Sequence, residues 1–309
     1  MLYWLDTHKH KVSAATFESY ALTVRVHILP SLGAIQVQKL TPETLQTFYT
    51  EKLNAGAGVR SVQLAHLHIS QALQLAMKLG LIARNVALSV TPPHGHASEM
   101  TTWDAAQQRR FMLAAAGSAY GPIWIIFLST GMRRGEVLGL RWQGVDWERG
   151  VLSIRQTVGV LGGKTEIKPP KTKSSRRDVL VEPEVITALR EHKATQNARR
   201  LTLGALWQNH DLIFPSFSGT PINPNNLDRD YDRWVKKAGL PRIRIHDLRH
   251  SHVTLAIKKG ANIKAVSQRV GHANVGITLG TYAHVSPEQH TDVSRRVGAA
   301  LFSRDADAM

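Results

Sequence analysis

Residues 90–98, VTPPHGHAS, interrupt the chain with two prolines and a glycine and carry no apolar period. No helix or strand runs readily through such a segment, because proline removes a backbone donor and restricts the residue before it. The apolar runs on either side must therefore bury their faces in separate cores, and 309 residues suffice for two domains of ordinary size. A first domain is placed at 1–90, a linker at 91–100 and a second domain at 101–309.

Upstream of the break the period is helical. Thr16–Ile28 has helical apolar spacing and is expected to stop at Pro30 and Gly33, while Thr41, Pro42 and Glu43 read as an N-cap and first turn. Val59–Leu79 spaces leucines and alanines three and four apart and meets Gly80 as a C-terminal stop, which completes a small helical bundle. Downstream, Thr101 and Asp104 mark a new helix start. Val151–Arg155 and Asp178–Val181 then read as short strands, with LGGK at 161–164 between them, and fit one small antiparallel sheet. The helical pattern returns from Glu184 through Asn225–Lys237, Asp247–Lys259, Ile263–Val270 and, behind a Ser286 cap, Pro287–Leu301, before a frayed SRDADAM end. The expected class is mainly α with a small antiparallel β-sheet (α+β).

Composition narrows the function. The chain has 39 Lys and Arg against 23 Asp and Glu, a net charge of +16 that favours a polyanion, with nucleic acid the default partner. Its longest clean apolar stretch, Ile123–Leu128, is too short to span a bilayer. The start MLYWLDTHKHK lacks the order of a signal peptide, so the expected location is the cytosol, with no membrane partner. There is no cysteine, which excludes disulfides, thiolate metal sites and cysteine nucleophiles.

Arg133, Lys171, His246, Arg249, His272 and Tyr282 occur in that order in TGMRRGE, KTKSSRR, HDLRH, VGH and TYAH, and together describe phosphoryl transfer without a metal. Each has a plainer reading. Arg133 and Glu136 at i, i+3 make a surface ion pair, with Arg134 as a competing phosphate ligand. Lys171 lies in a basic run that reads as a solvated turn, where Lys173 and then Lys168 are alternatives. His246 and Arg249 share a helix face near its amino-terminal end. His246 with His250 at i+4, plus His252 and His272, mimics a zinc site, against which stand the missing H-E-x-x-H glutamate, the absence of a cysteine ligand and Arg249 between the histidines. His272 alone reads as a helix C-terminal cap, and Tyr282 as a half-buried aromatic. A phenol needs a base or a strong positive field to attack phosphorus, and Arg133, Arg249 and Lys171 can supply that field.

The motifs TGMRRGEVLGLRW, KTKSSRRDVLV, HDLRHSHVTLAIKKGANIKAVSQRVGHANVGIT and TYAHVSP resemble those of the tyrosine recombinases, the phage integrase family; the first ninety residues are similar to its helical, SAM-like core-DNA-binding domain. The resemblance implies a catalytic domain over 101–309 and selects Arg133, oriented by Glu136. It makes Lys171 the general acid on a β-hairpin, His272 a phosphate donor where the family holds histidine or tryptophan, and Tyr282 the nucleophile of a 3′-phosphotyrosyl intermediate. Arg249 joins Arg133 on the phosphate, and His246 is base or positioner. The resemblance implies no cofactor, neither Mg²⁺ nor ATP. The partners it implies are double-stranded DNA, a homo-tetramer assembled on two DNA sites, and accessory DNA-bending or directionality proteins, in a cytoplasmic, nucleoid-associated setting. Residues 287–301 are then either a helix that docks on a neighbour or one that closes its own domain. The family's arm-binding domain is missing from the start, which leaves a two-domain member or a truncated one. A type IB topoisomerase and a catalytically silent DNA-binding regulator are the rival readings.

Overall fold

A computed structural model describes residues 1–95, 101–170, 173–272 and 274–282. The chain forms two compact units: Met1–Glu99 with Leu161–Gly163, and a second that takes the remaining described residues. Both are mainly helical, and among the described residues no helix is long and apolar enough to cross a membrane.

The first unit contains α1 (Leu2–His8), α2 (Ala14–Leu22), α3 (Leu29–Leu32), α4 (Pro42–Asn54) and α5 (Val59–Lys78). Its core follows from the spacing on α5, where Val62, Ala65, Ile69, Leu73 and Ala76 form one buried stripe. Trp4, Val24, Ile28, Leu45, Phe48 and Tyr49 close over that stripe. Thr41 caps α4 through its hydroxyl, which accepts from the Thr44 amide at 3.2 Å, and Pro42 occupies the first turn. Pro30 does not end the preceding helix. Capped by Ser13, α2 starts two residues before the expected Thr16, the turns at Thr23–Ile28 widen to π geometry, and the chain then runs through Pro30 to Leu32. The wider turn absorbs the ring and the missing N–H that would break a regular helix.

The second unit opens on Trp103, fully buried, whose amide donates to Ser251 Oγ (2.9 Å) and whose indole donates to the Pro241 carbonyl (3.0 Å). Asp104 and Gln107 then form a reciprocal capping box at the start of α6 (Ala105–Ala115). Next come α7 (Gly121–Thr130) and α8 (Arg134–Leu138). Strands β1 (Val145–Asp146), β2 (Val151–Ile154) and β5 (Arg177–Leu180) make an antiparallel sheet in the order β1-β2-β5, with Ile154 opposite Arg177. The expected single sheet is in fact two. LGGK turns a separate hairpin, β3 (Thr157–Leu161) with β4 (Lys164–Lys168), because left-handed Gly162 (φ 56°) and Gly163 (φ 75°) close a two-residue turn that pairs its own flanking strands.

Helices α9 (Pro183–Leu203), α10 (Pro224–Lys237), α11 (Ile245–Lys258), α12 (Ile263–Val270) and α13 (Val275–Tyr282) complete the described unit. Trp103, Phe111, Trp124, Phe127 and Tyr231 form its aromatic centre, with Phe111 edge-on to Trp124 and Tyr231. The expected helix at 287–301 lies outside the described residues.

The turn between α7 and α8 depends on Gly131, whose φ of 63° is left-handed and whose added Cβ would lie 2.7 Å from the buried His252 ring. Gly131→Ala therefore combines backbone strain with overpacking, and its expected cost is about 2 kcal/mol or more. Urea denaturation should show a lower midpoint at unchanged slope; a midpoint equal to wild type would mean that the turn rearranges freely.

Candidate active site

Four short segments of the second unit meet at this turn. Arg133 is the N-cap of α8, and its side chain is held from two sides. Nη1 donates to Glu136 Oε1 (2.8 Å) and Nη2 to the carbonyl of Gly271 (2.8 Å), while its amide donates to Glu136 Oε2 (2.9 Å). Arg249, on the first turns of α11 and almost fully buried, donates from Nη1 to the carbonyl of Gly131 (2.8 Å). The two guanidiniums are thus cross-anchored, each on the left-handed glycine cap of a helix other than its own. Arg134 faces elsewhere, with both its hydrogen bonds on the Asp228 carboxylate at 2.8 Å.

Beneath Arg133 lies Glu136, 1% exposed, with a second arginine on its far side. Arg177 donates from Nη2 to Oε2 (3.0 Å) and from Nη1 to Oε1 (3.2 Å), and its Nε donates to the Arg269 carbonyl (2.6 Å). Burial alone pushes the Glu136 carboxyl up. The hydrogen bonds and charge of Arg177, then those of Arg133, outweigh that effect and hold it below the ordinary carboxylate range. Sequence reasoning missed Arg177, which sits in a basic run resembling a solvated turn. The available signal was its place at the start of β5, where strand alternation gives each residue a defined face.

His246 and His250, one turn apart on α11, stand edge-to-face with ring centroids 5.2 Å apart. His272 follows the α12 cap, and its Nδ1 lies 2.7 Å from Thr278 Oγ1 on α13. Burial first, and the positive charge of Arg249 and Arg133 next, lower the pKa of His272 to about 4; burial and then Arg249 also lower that of His246. Both rings are therefore neutral at neutral pH and lie in the field of the same two arginines. His250 is likewise pushed to about 4, chiefly by burial and then by His246. His252 packs under Gly131 and shares a hydrogen bond between Nδ1 and the Leu128 carbonyl (2.9 Å), a packing role. Among the described residues no group of three or more His, Cys, Asp and Glu is arranged to hold a metal ion.

Two of the six sequence candidates are only partly in view. Lys171 lies outside the described residues; of its alternatives, Lys168 ends β4 and packs across Gly159, and the side chain of Lys173 is not described. Tyr282 is the last residue of α13, and its side chain lies outside the described residues. The assembled part comprises Arg133, Arg249, His246 and His272: two fixed cations with two neutral imidazoles, suited to a tetrahedral anion whose charge grows in a transition state.

The sequence matches the phage integrase family over residues 111–289, and the N-terminal SAM-like domain of phage integrases over residues 1–53. It is 27% identical to a tyrosine recombinase XerC-like protein of Caldanaerobacter subterraneus subsp. tengcongensis, covering 90% of this chain and 76% of that protein. The fold is similar to that of the Tn1549 transposon integrase in complex with transposon right end DNA (TM-score 0.80, 21% identity, 96% of this chain and 98% of that one). It is also similar to that of a lambda integrase tetramer bound to a Holliday junction (TM-score 0.64, 17% identity, 90% and 76%).

Two measurements test this account of the site. Glu136→Gln removes the charge shared by Arg133 and Arg177 and should cost on the order of 3 kcal/mol in denaturant unfolding, the usual loss when one member of a buried ion pair is deleted. The second is a melting curve against pH. His250, His252 and His272 have folded pKa values of about 4, below the 6.5 of free imidazole, so the unfolded chain binds more protons between these values. Their contribution is fully present above pH 6.5 and is lost as pH falls towards 4; a melting temperature that stays level over that range would contradict the burial of these rings.

Proposed function

This chain belongs to the phage integrase family and is a site-specific DNA recombinase, an enzyme that breaks and rejoins DNA strands; from that premise we propose that Tyr282 is its nucleophile and Arg133, Arg249, His246, His272 and Lys171 its catalytic set. The observation that carries the proposal is the cross-anchoring of Arg133 and Arg249 on Gly271 and Gly131, next to His272 and His246.

The tyrosine hydroxyl attacks the scissile phosphate, forming a bond from its oxygen to phosphorus and breaking the bond to the 5′ oxygen. Neutral His246 takes or steers the phenolic proton, an assignment in keeping with its lowered pKa. Charge gathers on the non-bridging oxygens, where Arg133 and Arg249 stabilise it without reorganising, since backbone carbonyls and Glu136 already fix them. His272 donates a hydrogen bond to one of those oxygens. Lys171 gives its proton to the departing 5′ oxygen, which leaves a 3′-phosphotyrosyl link and a free 5′-hydroxyl. A 5′-hydroxyl from the partner strand then reverses the step. The bond energy stays in the phosphotyrosine, so ATP does not enter the scheme, and the fixed guanidiniums carry the non-bridging charge that Mg²⁺ would otherwise take.

Strand exchange between two duplexes requires four active sites, and the proposed working assembly is a homo-tetramer on two DNA sites, in keeping with the tetrameric form of lambda integrase. Accessory DNA-bending or directionality proteins are proposed as further partners. The proposed setting is the cytoplasm, at the nucleoid.

The test uses nicked suicide substrates prepared from genomic DNA, incubated with wild type and Tyr282→Phe in EDTA, followed by denaturing gels and sequencing of the trapped strands. A covalent adduct with wild type alone is expected, and its sequence gives the core site. An adduct with Tyr282→Phe would assign the nucleophile elsewhere. Arg249→Ala should slow single-turnover cleavage by on the order of 100-fold, about 3 kcal/mol, with DNA binding retained.

A further inference from the structure

Thr278 is completely buried on α13, about one turn before Tyr282. Other helical threonines in this protein donate their hydroxyl to the carbonyl four residues back: Thr23 to Ser19, Thr130 to Ile126 and Thr187 to Pro183. Thr278 departs from that pattern. Among the described residues its Oγ1 has a single hydrogen-bond partner, Nδ1 of His272 at 2.7 Å.

One hydrogen bridges the two atoms, and its owner decides the tautomer of the imidazole. Were the proton on Nδ1, the hydroxyl would accept it, and its own hydrogen would be left in a site closed to solvent with no acceptor among the described residues, the costlier arrangement. If the hydroxyl donates instead, both groups are satisfied and the ring carries its proton on Nε2. The position of that proton matters because His272 is neutral, with its pKa at about 4, and a neutral ring has only one N–H to offer.

We propose that Thr278 is a positioning residue: by donating to Nδ1 it locks His272 in the Nε2–H tautomer and so makes it a ready hydrogen-bond donor to the scissile phosphate. The proposal rests on the reading of His272 as a phosphate donor. It also explains why a buried hydroxyl is useful on the helix that carries Tyr282, since one bond sets both the ring and the register of α13 against it.

The lock is read directly by long-range ¹H–¹⁵N NMR on histidine-labelled protein without DNA. Wild type and Thr278→Ser should show His272 protonated at Nε2 and bare at Nδ1, and Thr278→Val should show a mixture; a proton on Nδ1 in wild type overturns the proposal. Cleavage of a suicide duplex carrying the core site recovered above supplies the second arm. Thr278→Val should slow single-turnover cleavage on the order of tenfold, and Thr278→Ser should stay close to wild type. The decisive background is His272→Trp, whose indole has one fixed N–H and no tautomer. There Thr278→Val should add no further loss, whereas a tenfold loss in both backgrounds would reduce the hydroxyl to helix packing and overturn the proposal. His272→Phe isolates the premise: a wild-type rate would remove the phosphate role of His272, a failure distinct from that of the lock, which the spectra report by themselves.

Discussion

The carboxylate of Glu136 organises the catalytic unit. A lone carboxylate at that depth would lose several kcal/mol of solvation, and it is kept ionised because two guanidiniums converge on it. Their exposures divide the labour: the Arg177 side chain is 9% exposed and closed in, while that of Arg133 is 37% exposed and keeps an edge towards solvent. Two cations on one anion leave an excess positive charge, and it lies on the solvent-facing side, with Arg133. The pair thus fixes both the position of Arg133 and the sign of the surface around it.

Two helix ends extend the same control. Gly131 and Gly271 are left-handed caps, a conformation that costs glycine little, and in each case the cap's own carbonyl accepts from an arginine of a distant segment. Terminal carbonyls of helices attract cations, so each guanidinium is steered to its post by the main chain as well as by side chains. The neighbouring histidines stay neutral through burial first and the concentrated charge second, which leaves each of the His246 and His272 rings one N–H and one acceptor nitrogen.

Much of this was legible in the sequence because it is local. The α5 stripe, the Thr41 and Asp104 caps and the left-handed glycines of LGGK are short-range signals, and they stand in the structure as helix, caps and hairpin. The TGMRRGE and HDLRH motifs likewise brought Arg133, His246 and Arg249 into consideration before any coordinates. Pro30 misled, because the remedy for a proline in a helix is a wider turn, which has no residue signature of its own. Arg177 was invisible for a different reason. Its partners are a carboxylate 41 residues away and a main-chain carbonyl 92 residues away, and hydrogen bonds to distant backbone leave no pattern along the chain. The division into a three-stranded sheet and a separate hairpin was likewise obscured, since register between β2 and β5 is a tertiary property that alternation alone does not encode.

The cross-anchoring of the arginines spans long stretches of chain: Arg133 reaches Gly271 across 138 residues, and Arg249 reaches Gly131 across 118. On the ribosome, Arg133 emerges long before the carbonyl that will hold it, and no earlier segment can substitute. A chain ended before Gly271 therefore carries the basic residues of a recombinase without their geometry, and is left to meet DNA through charge alone. The two anchors can close only once the chain has been made as far as Gly271. For a protein that breaks and rejoins DNA strands, the order in which the anchors are made thus follows from the topology.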